Sequence, residues 1–149
     1  MDGIAEKIRR CMGVVYVIGN GGSASTASHF VCDLVKIGFR AVSLADNASV
    51  ITMIGNDMGF ESIFSRQLNR STCGDVLIAL SVSGNSPNIL KAVKLANYNG
   101  VMTVGLTGKT GGNLADLADT CYHAQSDDYR EVENEHLAYL HSLLEELDD

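Results

Sequence analysis

Five apolar runs of strand length recur along this chain with helix-patterned segments between them: GVVYVIG at 13–19, RAVSLA at 40–45, DVLIALS at 75–81, VMTVGLT at 101–107 and TCYHA at 120–124. Most are continuously apolar and rich in Val, Ile or Leu, as strands buried on both faces are, so they predict a parallel sheet with helices on either side. The helices carry their own punctuation. Ser86 ahead of Pro87 sets a cap before a proline at the first helical position of SPNILKAVKLAN, and Gly100 stops that helix. A last helix is predicted from about Tyr129 to Leu147, with Leu137, Leu140, Leu144 and Leu147 on one face and Leu143 beside them, packed on the sheet. Strands and helices alternating through short links make a doubly wound α/β sandwich around a five-stranded parallel sheet.

The 149 residues show no internal repeat, low-complexity tract or Pro/Ser-rich linker, so one domain over 13–149 is expected behind a short helical segment, 1–12, striped by Ile4 and Ile8. No apolar run approaches the ~18 residues needed to cross a bilayer, and the start, MDGIAEKIRR, has no signal-peptide core; a cytoplasmic protein is expected. Cys11, Cys32, Cys73 and Cys121 are too widely spaced for a C-x-x-C pair and too few for a disulfide scaffold, and are read as reduced. The net charge of −7 is uneven: residues 127–149 hold nine of the 18 carboxylates against one cation, Arg130. The rest of the chain is nearly neutral and offers no basic stripe for a phosphate backbone, which argues against nucleic-acid binding.

Ligands of doubly wound folds sit beyond the carboxyl ends of the strands, so the loops after the strands are where chemistry is expected. After the first run, GNGGSASTASHF brings Gly19, Gly21 and Gly22 to a sharp turn before a helix that opens near Ser23, a ready anion site. The same residues satisfy the loose dinucleotide pattern G-x-G-x-x-A, with Asp46 as a ribose partner, so this loop alone does not choose between a cofactor and a phosphate ester. After the third run, SVSGNSPN delivers Ser81, Ser83 and Ser86 through one tight turn into another helix start, suiting a phosphate monoester where no arginine clamp is present. A dinucleotide site has no use for that second loop. GLTGKTGG imitates the end of a P-loop but has Thr103 where the motif requires glycine. GNDMGF at 55–60 is read as a turn carrying Asn56 and Asp57, with substrate-hydroxyl contact as a second reading.

Two predicted helices hold the acid and base groups. His29 and Asp33 lie four apart on the helix after the glycine loop, hence on one face. Glu133 and His141 lie eight apart on the last helix and can reach one cleft; His136, three from Glu133, is a rival that helical geometry does not eliminate.

Taken together, GNGGSASTASHF, GNDMGF, SVSGNS, LTGKTGG and the closing ENEHLAYLH resemble the sugar isomerase (SIS) domain proteins of the phosphoheptose isomerase type, in the expected order from about residue 13 to 147. The resemblance implies a flavodoxin-like sandwich that interconverts sedoheptulose 7-phosphate and an aldoheptose 7-phosphate by enediol acid/base chemistry, in a homodimer or homotetramer whose active site is assembled between subunits. On the family pattern Asp33 and His141 are the catalytic pair. Substrate contacts fall on Asn20, Gly21, Gly22, Ser23, Asn56, Asp57, Ser81, Val82, Ser83, Ser86 and Glu133, with the phosphate on Ser23, Ser81, Ser83 and Ser86. His29, Asp33, Glu133 and His141 match a four-ligand set that binds zinc in some members. Asp33 replaces the family's glutamate, Glu133 a glutamine, and Ile37 an arginine found in many members, with Lys36 next to it. A second anion beside Asp33 is repulsive unless a cation or proton lies between, which favours the metal. The alternative reading is a non-catalytic relative that binds phosphosugars or associates with a replication initiator; His29, Asp33, Glu133 and His141 argue against it.

Overall fold

The computed structural model describes residues 3–149. Its sheet consists of β1 (Val15–Ile18), β2 (Ala41–Ser43), β3 (Val76–Ser81), β4 (Met102–Thr107) and β5 (Thr120–His123), all parallel in the order β2-β1-β3-β4-β5. The five apolar runs thus become the five strands. Register follows the pleat: Val15 pairs with Ala41 on one side and Val76 on the other, and Val76 in turn with Met102. Along β3, Val76, Ile78 and Leu80 enter one core while Leu77 and Ala79 enter the other, the period of two expected of a strand covered on both faces.

The first core is closed by α1 (Ile4–Arg9), α2 (Gly22–Lys36) and α6 (Tyr129–Asp148), through Ile8, Phe30, Leu34, Leu140 and Leu143. The second is closed by α3 (Ala48–Met58), two short 3-10 turns (Phe60–Ser62 and Ser65–Leu68), α4 (Pro87–Tyr98) and α5 (Gly112–Leu117), through Ile54, Phe64, Leu68, Ile89 and Val93. β1 leads through α2 to β2 on one side, while β3, reached by α3, continues through α4 to β4 on the other. The chain therefore reverses direction across the sheet between β1 and β3, and the loops leaving those two strands face each other over that switch point.

Two local expectations change. The buried stripe of α6 is Val132, His136, Leu140, Leu143 and Leu147, with Leu137 and Leu144 on its flanks. His136 is fully buried because its Nε2–H donates to the Thr107 carbonyl at 2.9 Å, so an imidazole takes a core position that leucine periodicity alone gives to its neighbour. The segment carrying Asn56 and Asp57 is helical: α3 continues through Gly55 to Met58, and the turn is made by Gly59 at φ +95°. Among the described residues no helix is long and apolar enough to cross a membrane, and the four cysteines are free.

Candidate active site

The glycine loop is shaped by close approach more than by conformational freedom. Gly21 alone of its three glycines has positive φ, +55°, at the start of α2. A Cβ on Gly19 would stand 2.7 Å from the Ser23 backbone, and one on Gly22 would stand 2.4 Å from both carboxylate oxygens of Glu133. The helix start is therefore pressed against α6 at Glu133, with no side chain between them.

The serine loop spends its hydroxyl lone pairs on itself. Gly84 N–H donates to Ser81 Oγ and Asn85 N–H to Ser83 Oγ, each at 3.1 Å, and Ser81 O–H points to Ser86 Oγ at 3.4 Å. Ser83 and Ser86 keep their protons for a ligand. Ser86 occupies the cap position of α4 without capping an amide through its side chain, and Pro87 follows at the first turn, so this helix start is held by backbone geometry and proline. Behind the loop, GLTGKTGG works as scaffold: Thr110 N and Oγ1 both donate to Asp127 at 3.1 Å, and Leu114 N–H donates to the Gly84 carbonyl at 2.9 Å.

Both loops open into one cavity of about 310 Å³. Asn20, Ser23, Ser81, Val82, Ser83, Ser86 and Glu133 line it, together with Leu80 and Tyr129, which the sequence pattern marks only as strand and helix start. Asn88, 2% exposed, belongs to the site as well: its amide exchanges reciprocal hydrogen bonds of 2.9 and 2.8 Å with that of Asn20 and so ties the glycine loop to α4. No local sequence signal marks it, since a polar residue one position after Pro87 is equally at home on an exposed helix start. Asn56 and Asp57 do not line this cavity; they are exposed on α3, where Asn56 Nδ2 donates to Asp57 Oδ1 at 2.9 Å. A larger concavity, about 610 Å³, lies beside β2 and the start of α3, but it lacks the convergent hydroxyls and helix starts that mark the smaller one.

Farther along α2 and α6 a second cluster forms. His29 Nε2 stands 3.0 Å from His141 Nε2 and 3.4 Å from Asp33 Oδ2, and His141 Nε2 lies 3.8 Å from the same oxygen. The two imidazoles are half exposed and Asp33 is more enclosed, with 22% of its side chain accessible. Of the two histidines that helical spacing left open, His141 is the one beside Asp33; His136 is committed to the core, where burial lowers its pKa. Two imidazole nitrogens in contact need a proton or a cation between them. Donor atoms on a tetrahedral ion with bonds of about 2.0–2.1 Å stand roughly 3.3–3.4 Å apart, and the three observed separations bracket that value. His29, Asp33 and His141 thus form a group that can hold a metal ion. Glu133 is not in it: its carboxylate lies over Gly22, two turns up α6.

Comparison with known proteins agrees with this geometry. The sequence profile of the SIS domain matches residues 2–108. A phosphoheptose isomerase of Rhodospirillum rubrum is 40% identical over 148 residues, covering 95% of this chain and 79% of the relative. Among solved structures, phosphoheptose isomerase GmhA from Neisseria gonorrhoeae superposes with a TM-score of 0.93 at 34% identity, covering 97% of this chain and 82% of that one. A phosphoheptose isomerase from Francisella tularensis gives 0.92 at 32% identity with the same coverages. The switch-point loops, the His/Asp cluster and these likenesses along nearly the whole chain lead to one conclusion: the chain belongs to the SIS-domain family and, within it, to the phosphoheptose isomerases.

Proposed function

We propose that this protein interconverts sedoheptulose 7-phosphate and an aldoheptose 7-phosphate through an enediol, with the phosphate on the serine loop and the carbonyl end at Asp33 and His141. The observation that carries the reading is a distance. Ser23 and His29 are six residues apart on α2, about 9 Å at 1.5 Å per residue. Seven bonds separate the phosphorus of the substrate from its carbonyl carbon, and an extended chain of that length spans roughly 8 Å at the 3.3–3.6 Å per three bonds of a polypeptide. A sugar phosphate anchored at the helix start therefore reaches the His/Asp cluster along the side of α2.

The phosphate is gripped by the O–H groups of Ser83 and Ser86 and by the helix starts, without a cation, since no lysine or arginine lines the cavity. This remote grip orients the sugar for the reacting end. Asp33 Oδ2 faces both imidazoles, which leaves Oδ1 to take the proton from the carbon next to the carbonyl. The C–H electron pair becomes the C=C bond of the enediol, and the proton returns to the adjacent carbon, with His141 as its partner in transfer among the oxygens. Zinc held by His29, Asp33 and His141 would polarise the carbonyl and stabilise the enediolate, while Glu133, over Gly22, is left to face the substrate in the cavity. Asn56 and Asp57, exposed on α3, are supplied to the cavity by a second copy of the chain, and the free thiols fit a cytoplasmic setting.

The test is conversion of sedoheptulose 7-phosphate followed by NMR, on protein of known zinc content, beside the Ser83→Ala variant. Growth of an aldose phosphate signal is expected, with weaker substrate binding in S83A and loss of turnover on chelation, restored by zinc. Absence of conversion at full zinc occupancy refutes the reading. Equal rates with and without metal would leave Asp33 and His141 to act alone.

A further inference from the structure

We propose that the cleft between α4 and the two 3-10 turns is a second, cationic site for a phosphate group, separate from the serine loop and independent of the isomerase reading. The cleft measures about 270 Å³, and its polar lining is Ser62, Ser65, Arg66, Asn69 and Lys91. It shares no residue with the serine-loop cavity.

Its construction suits a multiply charged oxyanion. Lys91 Nζ is already aimed, donating to Ser62 Oγ at 2.9 Å, with Glu61 Oε1 at 3.6 Å as an exposed counter-charge. Because Ser62 accepts from Lys91, its own O–H remains to be given. Ser65, on the same floor, has only a long contact of 3.5 Å to the Ser62 carbonyl. Both hydroxyls are nearly buried, at 7% and 6% exposure, so they form a fixed floor beneath the two cations. Arg66 has no carboxylate partner among the described residues. Every polar side chain of the lining except the amide oxygen of Asn69 can donate, and the three terminal oxygens of a phosphate ester can accept from such donors at once.

Charge distribution points the same way. In a chain of net charge −7, four of the eleven Lys and Arg residues, Arg66, Arg70, Lys91 and Lys94, gather on the second turn, the residues just after it, and α4. Glu61 is the sole carboxylate on the two turns and α4. The serine-loop cavity is built the opposite way, with hydroxyls, no cation and the carboxylate of Glu133. The protein thus presents two kinds of phosphate environment on either flank of α4, whose first turn follows Ser86 and whose second carries Lys91.

Inorganic phosphate is the probe, added at constant ionic strength to wild-type protein, to S83A, and to S83A carrying R66Q and K91Q, with binding read by amide NMR shifts. The proposal expects S83A to keep a phosphate-dependent set of shifts on Ser62, Ser65 and α4. It expects R66Q/K91Q to weaken that response at least about tenfold, the scale of losing charge-assisted hydrogen bonds. Both substitutions sit on exposed side chains, and an unchanged melting temperature verifies the fold. No shifts around the cleft, an equal response in R66Q/K91Q, or the same shifts produced by chloride would each overturn it. So would a change in particle mass in R66Q/K91Q without a change in phosphate response, which would mark the face as a contact for the acidic end of another copy. Failure of the isomerase reading would show itself elsewhere, as wild type and S83A binding sugar phosphate equally at the serine loop.

Discussion

Asp33 holds two half-exposed imidazoles with one carboxylate oxygen, and the consequence is separable from folding. Changing it to asparagine keeps shape and volume but removes the carboxylate proposed as the base, so on that proposal turnover should fall by about 10² to 10⁴ while the melting temperature changes little. A variant retaining wild-type rate would remove Asp33 from the chemistry. His136 makes the opposite case, a histidine that matters to stability. Burial lowers its pKa below the usual 6.5, and its Nδ1 has no partner in the core. Below about pH 6.5 the unfolded chain takes up a proton that the folded chain refuses, so stability is full above that pH and declines as pH falls toward the native value. Glu135, held low by the Gln125 amide and the Tyr122 hydroxyl, adds a further loss at more acid pH. Urea midpoints at pH 8, 6.5 and 5.5 should show this slope. His136→Gln, which preserves a donor toward Thr107 without the titration, should flatten it; an identical slope in H136Q would contradict the assignment. At the alkaline end the sign reverses: burial and Glu135 push the Tyr122 phenol up to about 12, so stability is kept below pH 10 and lost as pH rises through 10 to 12.

At the scale of elements, two glycines that look alike in sequence separate function from folding. A Cβ on Gly22 meets the end of the Glu133 side chain, which can move; a Cβ on Gly84, at φ +68°, would stand 2.0 Å from the Gly111 carbonyl, which cannot. Gly84→Ala should therefore destabilise by more than the ~1 kcal/mol typical of a glycine backbone effect, and show it in the denaturant midpoint. Gly22→Ala should leave the midpoint nearly unchanged and weaken substrate binding by displacing Glu133. The reverse ranking would mean that the serine loop does not lean on the 108–112 turn. The strands were legible because burial on both faces leaves long apolar words, and the two candidate loops because a glycine cluster and a serine cluster each follow a central strand, a coincidence that ordinary caps and bends do not explain. What stayed hidden was decided between elements. Asn20 and Asn88 are 68 residues apart and meet only once β1 and β3 are neighbours. His136 and His141 are indistinguishable until Thr107 supplies a carbonyl to one of them. Asn56 and Asp57 read as a turn because Gly55 precedes them, yet the helix tolerates that glycine and breaks at Gly59.

At the scale of the whole molecule, α3 leaves an apolar face uncovered. Of the eleven residues of α3 only Ile54 is buried, while Met53, Met58 and, just beyond, Phe60 are 48%, 44% and 64% exposed. Three large apolar side chains on one short stretch, flanking Asn56 and Asp57, form the kind of surface that a symmetric partner covers. Light scattering at micromolar concentration should therefore give a particle at two or four times 15.9 kDa. Met53→Asp places a charge on that face without touching the core, and it should shift the particle toward the single-chain mass. If Asn56 and Asp57 reach the serine-lined cavity of the neighbouring copy, turnover must fall together with the mass, and mixing M53D with an excess of D33N chains will not restore it. A 15.9 kDa particle with full activity would contradict the shared site. A stable oligomer in M53D would move the interface off α3, and an inactive M53D that is still oligomeric would assign that residue to the site instead of the contact.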